Sequence, residues 1–170
     1  YALNQKLPED IVVVDSCEVS DDFHPRFSKS RKTYEYRILN ARFRNPTRRL
    51  DTYFYHYPLD TEKMSEAAKY LIGEHDFASF CGNPKMKKST VREIYSIDIS
   101  LKGSYLNMTF HGSGFLQYMV RILSGTLLEV GFGKREADSM QELLEAKNRS
   151  LAGATAPAKG LSLLKVHYAN

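Results

Sequence analysis

Cysteines are few and long apolar runs are missing, and both absences narrow the class of protein. The 170 residues include only Cys17 and Cys81, with no Cys-x-x-Cys motif. This excludes a disulfide framework and a structural zinc site, and it favours a reducing compartment. No run of about 18 apolar residues occurs, which excludes a transmembrane helix. Residues 1–5 resemble no targeting segment and the first residue is not methionine, so we expect a cytoplasmic protein and a piece of a longer chain.

Acidic residues are nearly absent from two segments of the chain. The first basic segment, residues 26–49, holds nine Lys or Arg and one acid, and the second basic segment, residues 83–92, holds four and none. The rest of the chain carries eleven basic and nineteen acidic residues, so the net charge of +4 conceals an acidic body. Such a distribution is typical of a protein that binds a polyanion such as nucleic acid, although two solvated loops would give the same pattern.

The apolar periodicity predicts a mixed order of strands and helices. Strands are predicted over residues 11–19, 32–39, 53–57, 91–100, 105–111 and 161–168, the fourth and fifth forming a hairpin around Gly103. Helices are predicted from the N-cap Asp60 to Gly73, over residues 115–130, and over residues 136–147. This order favours an α+β fold, a largely antiparallel mixed sheet flanked by helices, with residues 1–170 as a single domain.

Arg121 stands within the most apolar helix and is expected to be buried. A guanidinium does not lose its proton in a protein, so a buried arginine needs an anionic partner. The one acid on the same helix, Glu129, lies eight residues away, roughly 12 Å along the axis, and is a poor partner. Arg121 therefore predicts either a structural salt bridge or a site for a carboxylate or phosphate from elsewhere.

Two tyrosines lie on one face of the strand inside the first basic segment. Tyr34 and Tyr36 alternate with Thr33, Glu35 and Arg37. Aromatic rings among basic residues suit base stacking with phosphate contact, whereas two core residues would give the same alternation.

Other combinations carry weaker signals. His75 and Asp76 could act as an acid–base pair, but neighbours in a tight loop more often cap a helix or bind backbone. The order Gly131-Phe132-Gly133-Lys134 lacks the long loop of a phosphate-binding motif and indicates a helix C-terminus. The five histidines show no metal-ligand spacing.

An ordered set of motifs is more specific than any of these features. The chain carries Leu3-Asn4, Leu7-Pro8-Glu9-Asp10-Ile11, Phe23-His24-Pro25-Arg26-Phe27-Ser28, Arg31-Lys32-Thr33-Tyr34-Glu35-Tyr36, Gly73-Glu74-His75-Asp76-Phe77, Ser79-Phe80, Thr90-Val91-Arg92, Gly112-Ser113-Gly114-Phe115-Leu116, Met119-Val120-Arg121, Gly125, Thr155-Ala156-Pro157-Ala158 and Gly160-Leu161. In order and spacing, this set resembles the C-terminal part of TruA-type tRNA pseudouridine synthases over essentially all 170 residues.

The resemblance implies a pseudouridine synthase-like catalytic domain fragment and an activity. The family isomerises uridine to pseudouridine at positions 38–40 of the tRNA anticodon arm, without metal or cofactor, as a homodimer. Tyr34 resembles the active-site tyrosine that stacks on the target base and helps remove the C5 proton. Arg121 resembles the arginine that pairs with the catalytic aspartate, and Leu161 resembles an apolar residue of the same pocket. Phosphates of the anticodon arm would then contact residues of the basic segments, namely Arg26, Arg31, Lys32, Lys85, Lys87, Lys88 and Arg92.

The sequence departs from the family pattern at the nucleophile. The family's catalytic aspartate lies in a Gly-Arg-Thr-Asp motif upstream of the Leu-Pro-x-Asp-Ile segment, and no Gly-Arg-Thr-Asp occurs here. We therefore expect this chain to be the larger C-terminal part of a synthase and to be inactive alone. The alternatives are a non-catalytic RNA-binding module and a dimerisation module. Pro25 also replaces the more usual alanine, a minor change.

Overall fold

One six-stranded sheet organises the chain. The computed structural model describes residues 2–83 and 85–168. Its strands are β1 (Ser30–Asn40), β2 (Tyr53–Tyr55), β3 (Gly73–Asp76), β4 (Val91–Lys102), β5 (Tyr105–Gly112) and β6 (Leu161–Tyr168). The order β2-β1-β5-β4-β3 is parallel only at the β1–β2 pair, and β6 pairs with the first half of β1. The α+β class with a largely antiparallel mixed sheet is confirmed.

Within the described part of the chain, three α-helices accompany the sheet: α1 (Thr61–Lys69), α2 (Met119–Gly131) and α3 (Ser139–Ala146). The side chain of Asp60 caps α1 by accepting from the backbone N–H groups of Glu62 and Lys63, as the sequence predicts. Eleven of the thirteen residues of α2 are buried, which explains why its sequence is apolar nearly all round. None of the described helices has the length and apolar character that spanning a membrane requires.

The sheet has one buried face and one partly exposed face. Along β5, residues alternate strictly between buried and half-buried, so its buried side chains face the helices. We call this the helix face, and its core includes Tyr36, Ile38, Met108 and Phe110. The outer face carries the side chains that alternate with these along each strand, among them Thr33 and His111, which pair across β1 and β5. The two faces therefore differ in polarity, and each can support a different kind of site.

Two local predictions are wrong because strands depend on partners. Residues 11–19 form no strand, and their β-branched side chains are largely exposed. A ladder strand needs a neighbouring strand for its backbone groups, and within the described residues no strand pairs with residues 11–19. The backbone of Val13 bonds instead to the Asn4 side chain. Residues 73–76 form β3 rather than a loop, paired with β4 from Val91 to Ile94.

His75 and Asp76 both make hydrogen bonds that stabilise the fold around β3. His75 bonds to the Ile72 carbonyl through Nε2, and Asp76 accepts from the Thr90 hydroxyl and from the Ala78 N–H. Lys147 Nζ also lies 3.0 Å from the Asp76 carboxylate. The Thr90 hydrogen bond is the main cause that lowers the Asp76 pKa. These contacts tie β3 to its flanking segments, in agreement with the backbone-binding interpretation.

The second and third helices are shorter than predicted. Helix α2 begins at Met119 rather than at residue 115, because Tyr118 adopts a left-handed backbone with φ of 59°. Helix α3 occupies Ser139–Ala146 within the predicted 136–147. Helix α1 ends at Lys69, and Gly73 instead begins β3 with φ of 105°. The late start of α2 leaves residues 113–118 free to line a cleft.

Candidate active site

A cleft on the helix face brings together residues that are distant in sequence. It has a volume of about 250 Å³ and lies between β1, the start of α2 and the start of β6. Tyr34, Arg121 and Leu161 all line it, as do Phe115, Leu116, Tyr118, Met119, Val120 and Ala158. The three residues for which the sequence analysis predicts a shared pocket therefore do share one.

Tyr34 lies at the middle of β1, next to an irregularity in the sheet. The pairing of β1 with β6 shifts register between Thr33 and Tyr34, and such bulges often occur beside active sites. The Tyr34 ring meets Phe115 edge to face, with 5.3 Å between ring centroids. Burial raises the pKa of the Tyr34 phenol, so the hydroxyl is neutral at physiological pH. In this form Tyr34 offers a stacking surface and a hydrogen-bond donor.

Arg121 is half-buried, not fully buried as its sequence context predicts, because the first turns of α2 border the cleft. Its Nε donates to the Ala156 carbonyl at 2.7 Å, and its guanidinium lies 5.1 Å from the centroid of the Tyr118 ring. Among the ion pairs of residues 2–83 and 85–168, none includes Arg121. The Ala156 bond uses one of five N–H donors, which leaves a fork that suits a carboxylate.

Glu129 does not serve Arg121, as the helix spacing predicts. Its carboxylate pairs with Lys134 and Arg135 at 2.9 and 3.1 Å. Burial raises the pKa of Glu129, but the two cations outweigh it and the net effect is a lower pKa. Glu129 is therefore ionised and fully engaged at the far end of α2.

The segment from Gly153 to Gly160 is hydrogen-bonded to both β1 and α2, which border the cleft. The Tyr36 hydroxyl donates to the Pro157 carbonyl at 2.7 Å, and the Ala156 N–H donates to the Arg121 carbonyl at 3.1 Å. Gly125 allows this segment to approach α2, because a Cβ there would stand 1.9 Å from the Ala154 carbonyl oxygen. Thus Tyr36 is a core residue that fixes the segment, as the alternative interpretation of its strand predicts.

The predicted substrate-binding residues fall on different surfaces. Lys32 lies on the same strand face as Tyr34, whereas Arg31 lies on the outer face. Arg92 donates to the carbonyls of Ser89 and Val91. None of the predicted basic residues lines the cleft itself. Most of them are exposed, namely Arg26, Arg31, Lys85, Lys87 and Lys88.

Sequence reasoning missed Phe115 and Tyr118 as cleft residues. The apolar periodicity of residues 115–130 predicts instead that both belong to the buried stripe of a longer helix. The pair Gly112 and Gly114 directly before them was the available signal, since glycines at a strand end indicate an irregular backbone. Tyr118 lies over Gly82, where a Cβ would stand 2.4 Å from the tyrosine ring.

Comparison with known proteins identifies the family of this chain. A family model described as tRNA pseudouridine synthase matches residues 67–169. The tRNA pseudouridine synthase A of Thermoanaerobacter sp. (strain X514) is 46% identical over 168 residues, which cover 99% of this chain and 69% of that protein. The enzymes of the same name from Bacillus licheniformis and Bacillus subtilis (strain 168) are 47% and 45% identical over 170 residues, all of this chain and 69% of each relative. The matched portion is the C-terminal part of these relatives, and the chain belongs to the tRNA pseudouridine synthase family.

Proposed function

We propose that this chain supplies the uridine-binding and arginine-bearing part of a synthase that isomerises uridine at positions 38–40 of the tRNA anticodon arm. The observation that carries the proposal is the convergence of Tyr34, Arg121 and Leu161 on one cleft. An aromatic face, an apolar wall and a guanidinium are the groups needed to hold a flipped uracil next to a carboxylate. The proposal takes residues 1–170 as one C-terminal domain.

The reaction conserves atoms and needs no redox partner. The glycosidic bond from C1′ to N1 breaks, the uracil rotates, and C1′ bonds to C5. The proton on C5 is then lost and N1 gains one, so the product is an isomer of the substrate. A carboxylate that attacks the sugar or the base makes bond cleavage easier, and a site that excludes water protects the detached base.

Arg121 would orient that carboxylate and keep it ionised. Arginine binds a carboxylate through two parallel N–H donors, and such pairing favours the charged form of the acid. The bond from Nε to the Ala156 carbonyl fixes the plane of the guanidinium before the acid arrives. Arg121 is in this sense prepared for a partner from outside the described residues.

Tyr34 would stack on the uracil rather than act as a phenolate. Its raised pKa keeps the hydroxyl protonated near neutral pH, so it is a poor acceptor for the C5 proton in the free protein. Stacking requires only the ring, whose edge-to-face contact with Phe115 fixes its orientation. Leu161, half-buried at the start of β6, would form the apolar wall beside the base.

The catalytic aspartate belongs, in this proposal, to a segment that the sequence does not include. No Gly-Arg-Thr-Asp motif is present in the 170 residues. The chain alone should therefore bind RNA without converting it. We extend to it, from the family resemblance, a homodimeric state, a cytoplasmic location and a reaction without metal or cofactor.

Mapping of pseudouridine in tRNA tests the proposal. The chain would be joined to the N-terminal segment of the Bacillus subtilis relative, giving what we call the joined enzyme, and expressed in cells that lack their own tRNA pseudouridine synthase A. Carbodiimide labelling and primer extension should then report pseudouridine at positions 38–40, and the chain without the added segment should give none. The proposal would be contradicted if pseudouridine were found only at other positions. It would also be contradicted if a folded joined enzyme produced no pseudouridine.

A further inference from the structure

A second pocket lies on the outer face of the sheet, opposite the active-site cleft. It has a volume of about 350 Å³, within the range of small-molecule sites. Its lining combines two cations, two hydroxyls, an imidazole and a phenol, contributed by Lys29, Ser30, Arg31, Tyr95, Ser113 and His167. No carboxylate is part of this lining. Cationic and hydroxyl groups suit a phosphate, and an exposed aromatic ring suits a base.

The aromatic walls of this pocket are held in place by the sheet beneath them. The Thr33 hydroxyl lies 3.0 Å from His111 Nδ1 and 3.1 Å from His167 Nε2, so it connects the two imidazoles. The Tyr95 ring lies against His111, with 5.2 Å between centroids. Tyr95 and His167 are therefore linked through shared neighbours, and the pocket is largely formed before any ligand arrives.

An irregularity in the sheet aims Tyr95 at the pocket. In the pairing of β4 with β5, Ile94 opposes Gly112 and Ser96 opposes His111, so Tyr95 is the extra residue of a bulge. Arg31 and His167 form a direct cross-strand pair between β1 and β6. The cationic and aromatic sides of the pocket thus come from three strands at the same level of the sheet.

The electrostatics of the pocket favour an anion. Desolvation is the main cause that lowers the His167 pKa, and the neighbouring charges of Lys165, His111 and Arg31 lower it further. Desolvation first, and the surrounding positive charge second, thus disfavour the protonated imidazole, and a bound phosphate would offset the charge. Among the ion pairs of the described residues, none includes Lys29 or Arg31, so both cations of the pocket are available to an anion.

The pocket is close enough to the cleft to serve the same RNA. Arg31 and Tyr34 lie three residues apart on β1, about 10 Å along the strand. Ser113 lines the outer pocket and Phe115 lines the cleft, so a single turn of chain separates the two. An RNA strand unstacked around a flipped base can place neighbouring nucleotides on both sides of this turn.

We propose that the outer-face pocket is a nucleotide subsite, in which Arg31 and Lys29 bind a phosphate and Tyr95 stacks on the base of a nucleotide close to the target uridine. This inference rests on the proposed function, since it assumes that the cleft receives a uridine of RNA. It assigns Arg31 a contact on the side of the sheet away from the cleft.

Single tryptophan reporters test the subsite, because the chain contains no tryptophan. Three variants of the 170-residue chain would be titrated with a synthetic anticodon-arm hairpin. They are Tyr95→Trp in the subsite, Tyr118→Trp in the cleft, and Tyr70→Trp at the C-terminal end of α1. Tyr95 and Tyr70 are both 38% exposed, so they are matched in solvent contact. Stacking on a base should quench Tyr95→Trp and Tyr118→Trp and leave Tyr70→Trp unchanged.

The outcomes separate the two proposals. Quenching of Tyr118→Trp without quenching of Tyr95→Trp would overturn the subsite and leave the proposed function intact. No response from either reporter would mean that RNA does not enter the cleft, which overturns the proposed function and the subsite together. Quenching at all three positions would indicate non-specific coating and would also overturn the subsite.

A charge variant provides a second test that does not depend on the reporter. Arg31→Gln is exposed and should fold, and loss of one phosphate contact should reduce the slope of log affinity against log salt by about 0.7. Lys102→Gln, at the opposite end of β4, removes the same charge and should leave the slope unchanged. Equal slopes for Arg31→Gln and Lys102→Gln would contradict the assignment of a phosphate to Arg31.

Discussion

Replacing Arg121 by glutamine is expected to reduce tritium release from tRNA labelled at uridine C5 by about 100-fold to 1000-fold in the joined enzyme. This is the effect of removing one preorganised electrostatic donor from an active site. The fold should persist, because Arg121 is half-buried and its one side-chain hydrogen bond within the described residues, to the Ala156 carbonyl, is worth about 1.5 to 3 kcal/mol, less than the usual stability of a domain. Lysine should not restore activity, since an ammonium lacks the planar fork that binds a carboxylate at two points.

Arg149→Gln is the matched control for Arg121→Gln. Arg149 also holds the segment that borders the cleft, since it donates to the Ala152 carbonyl and to the Thr155 hydroxyl. It does not line the cleft. Full activity of Arg121→Gln, or an equal loss in both variants, would contradict the role assigned to Arg121 in the cleft.

Gly125→Ala is expected to lower the free energy of unfolding by about 3 kcal/mol, at the upper end of the usual cost of overpacking. The new Cβ would stand 1.9 Å from the Ala154 carbonyl oxygen. Because both atoms are fixed by the backbone, the clash is relieved only if the backbone of the segment or the helix moves. Alanine improves helix propensity by only about 1 kcal/mol, which does not offset the clash. Displacement of the segment would also weaken the Tyr36–Pro157 and Arg121–Ala156 bonds.

Thermal unfolding followed by circular dichroism would measure the effect of Gly125→Ala. A loss of about 3 kcal/mol should lower Tm by about 6 to 12 °C in a chain of this size. Gly114→Ala is the control, because a Cβ there meets nothing closer than 3.9 Å. Equal Tm values for the two variants would show that the segment does not pack on α2 as described.

The local sequence pattern is sufficient to predict an element whose pairing partner is adjacent in sequence or whose own cap and apolar periodicity are clear. The hairpin of β4 and β5 follows from alternation around Gly103, and α1 follows from its cap at Asp60. Residues 11–19 show the limit of this reasoning. Their β-branched side chains favour a strand, but a strand forms only where another chain segment completes its hydrogen bonds.

The cleft could be predicted in part, for a similar reason. Tyr34, Arg121 and Leu161 were indicated by family motifs, and each carries a side chain whose chemistry suggests a role. Tyr118 and the outer-face pocket could not be predicted, because both depend on backbone irregularities: the left-handed turn before α2 and the bulge at Tyr95. Arg121 was expected to be buried because helical periodicity does not reveal that a helix end borders a cleft.

Release of tritium from tRNA labelled at uridine C5 tests the central claim most directly. The 170-residue chain alone should release none above background, and the joined enzyme should release it from positions 38–40. That pair of results would place the nucleophile outside this sequence and the uridine site within it. Release by the chain alone would contradict the account, since one of the aspartates present here would then perform the chemistry.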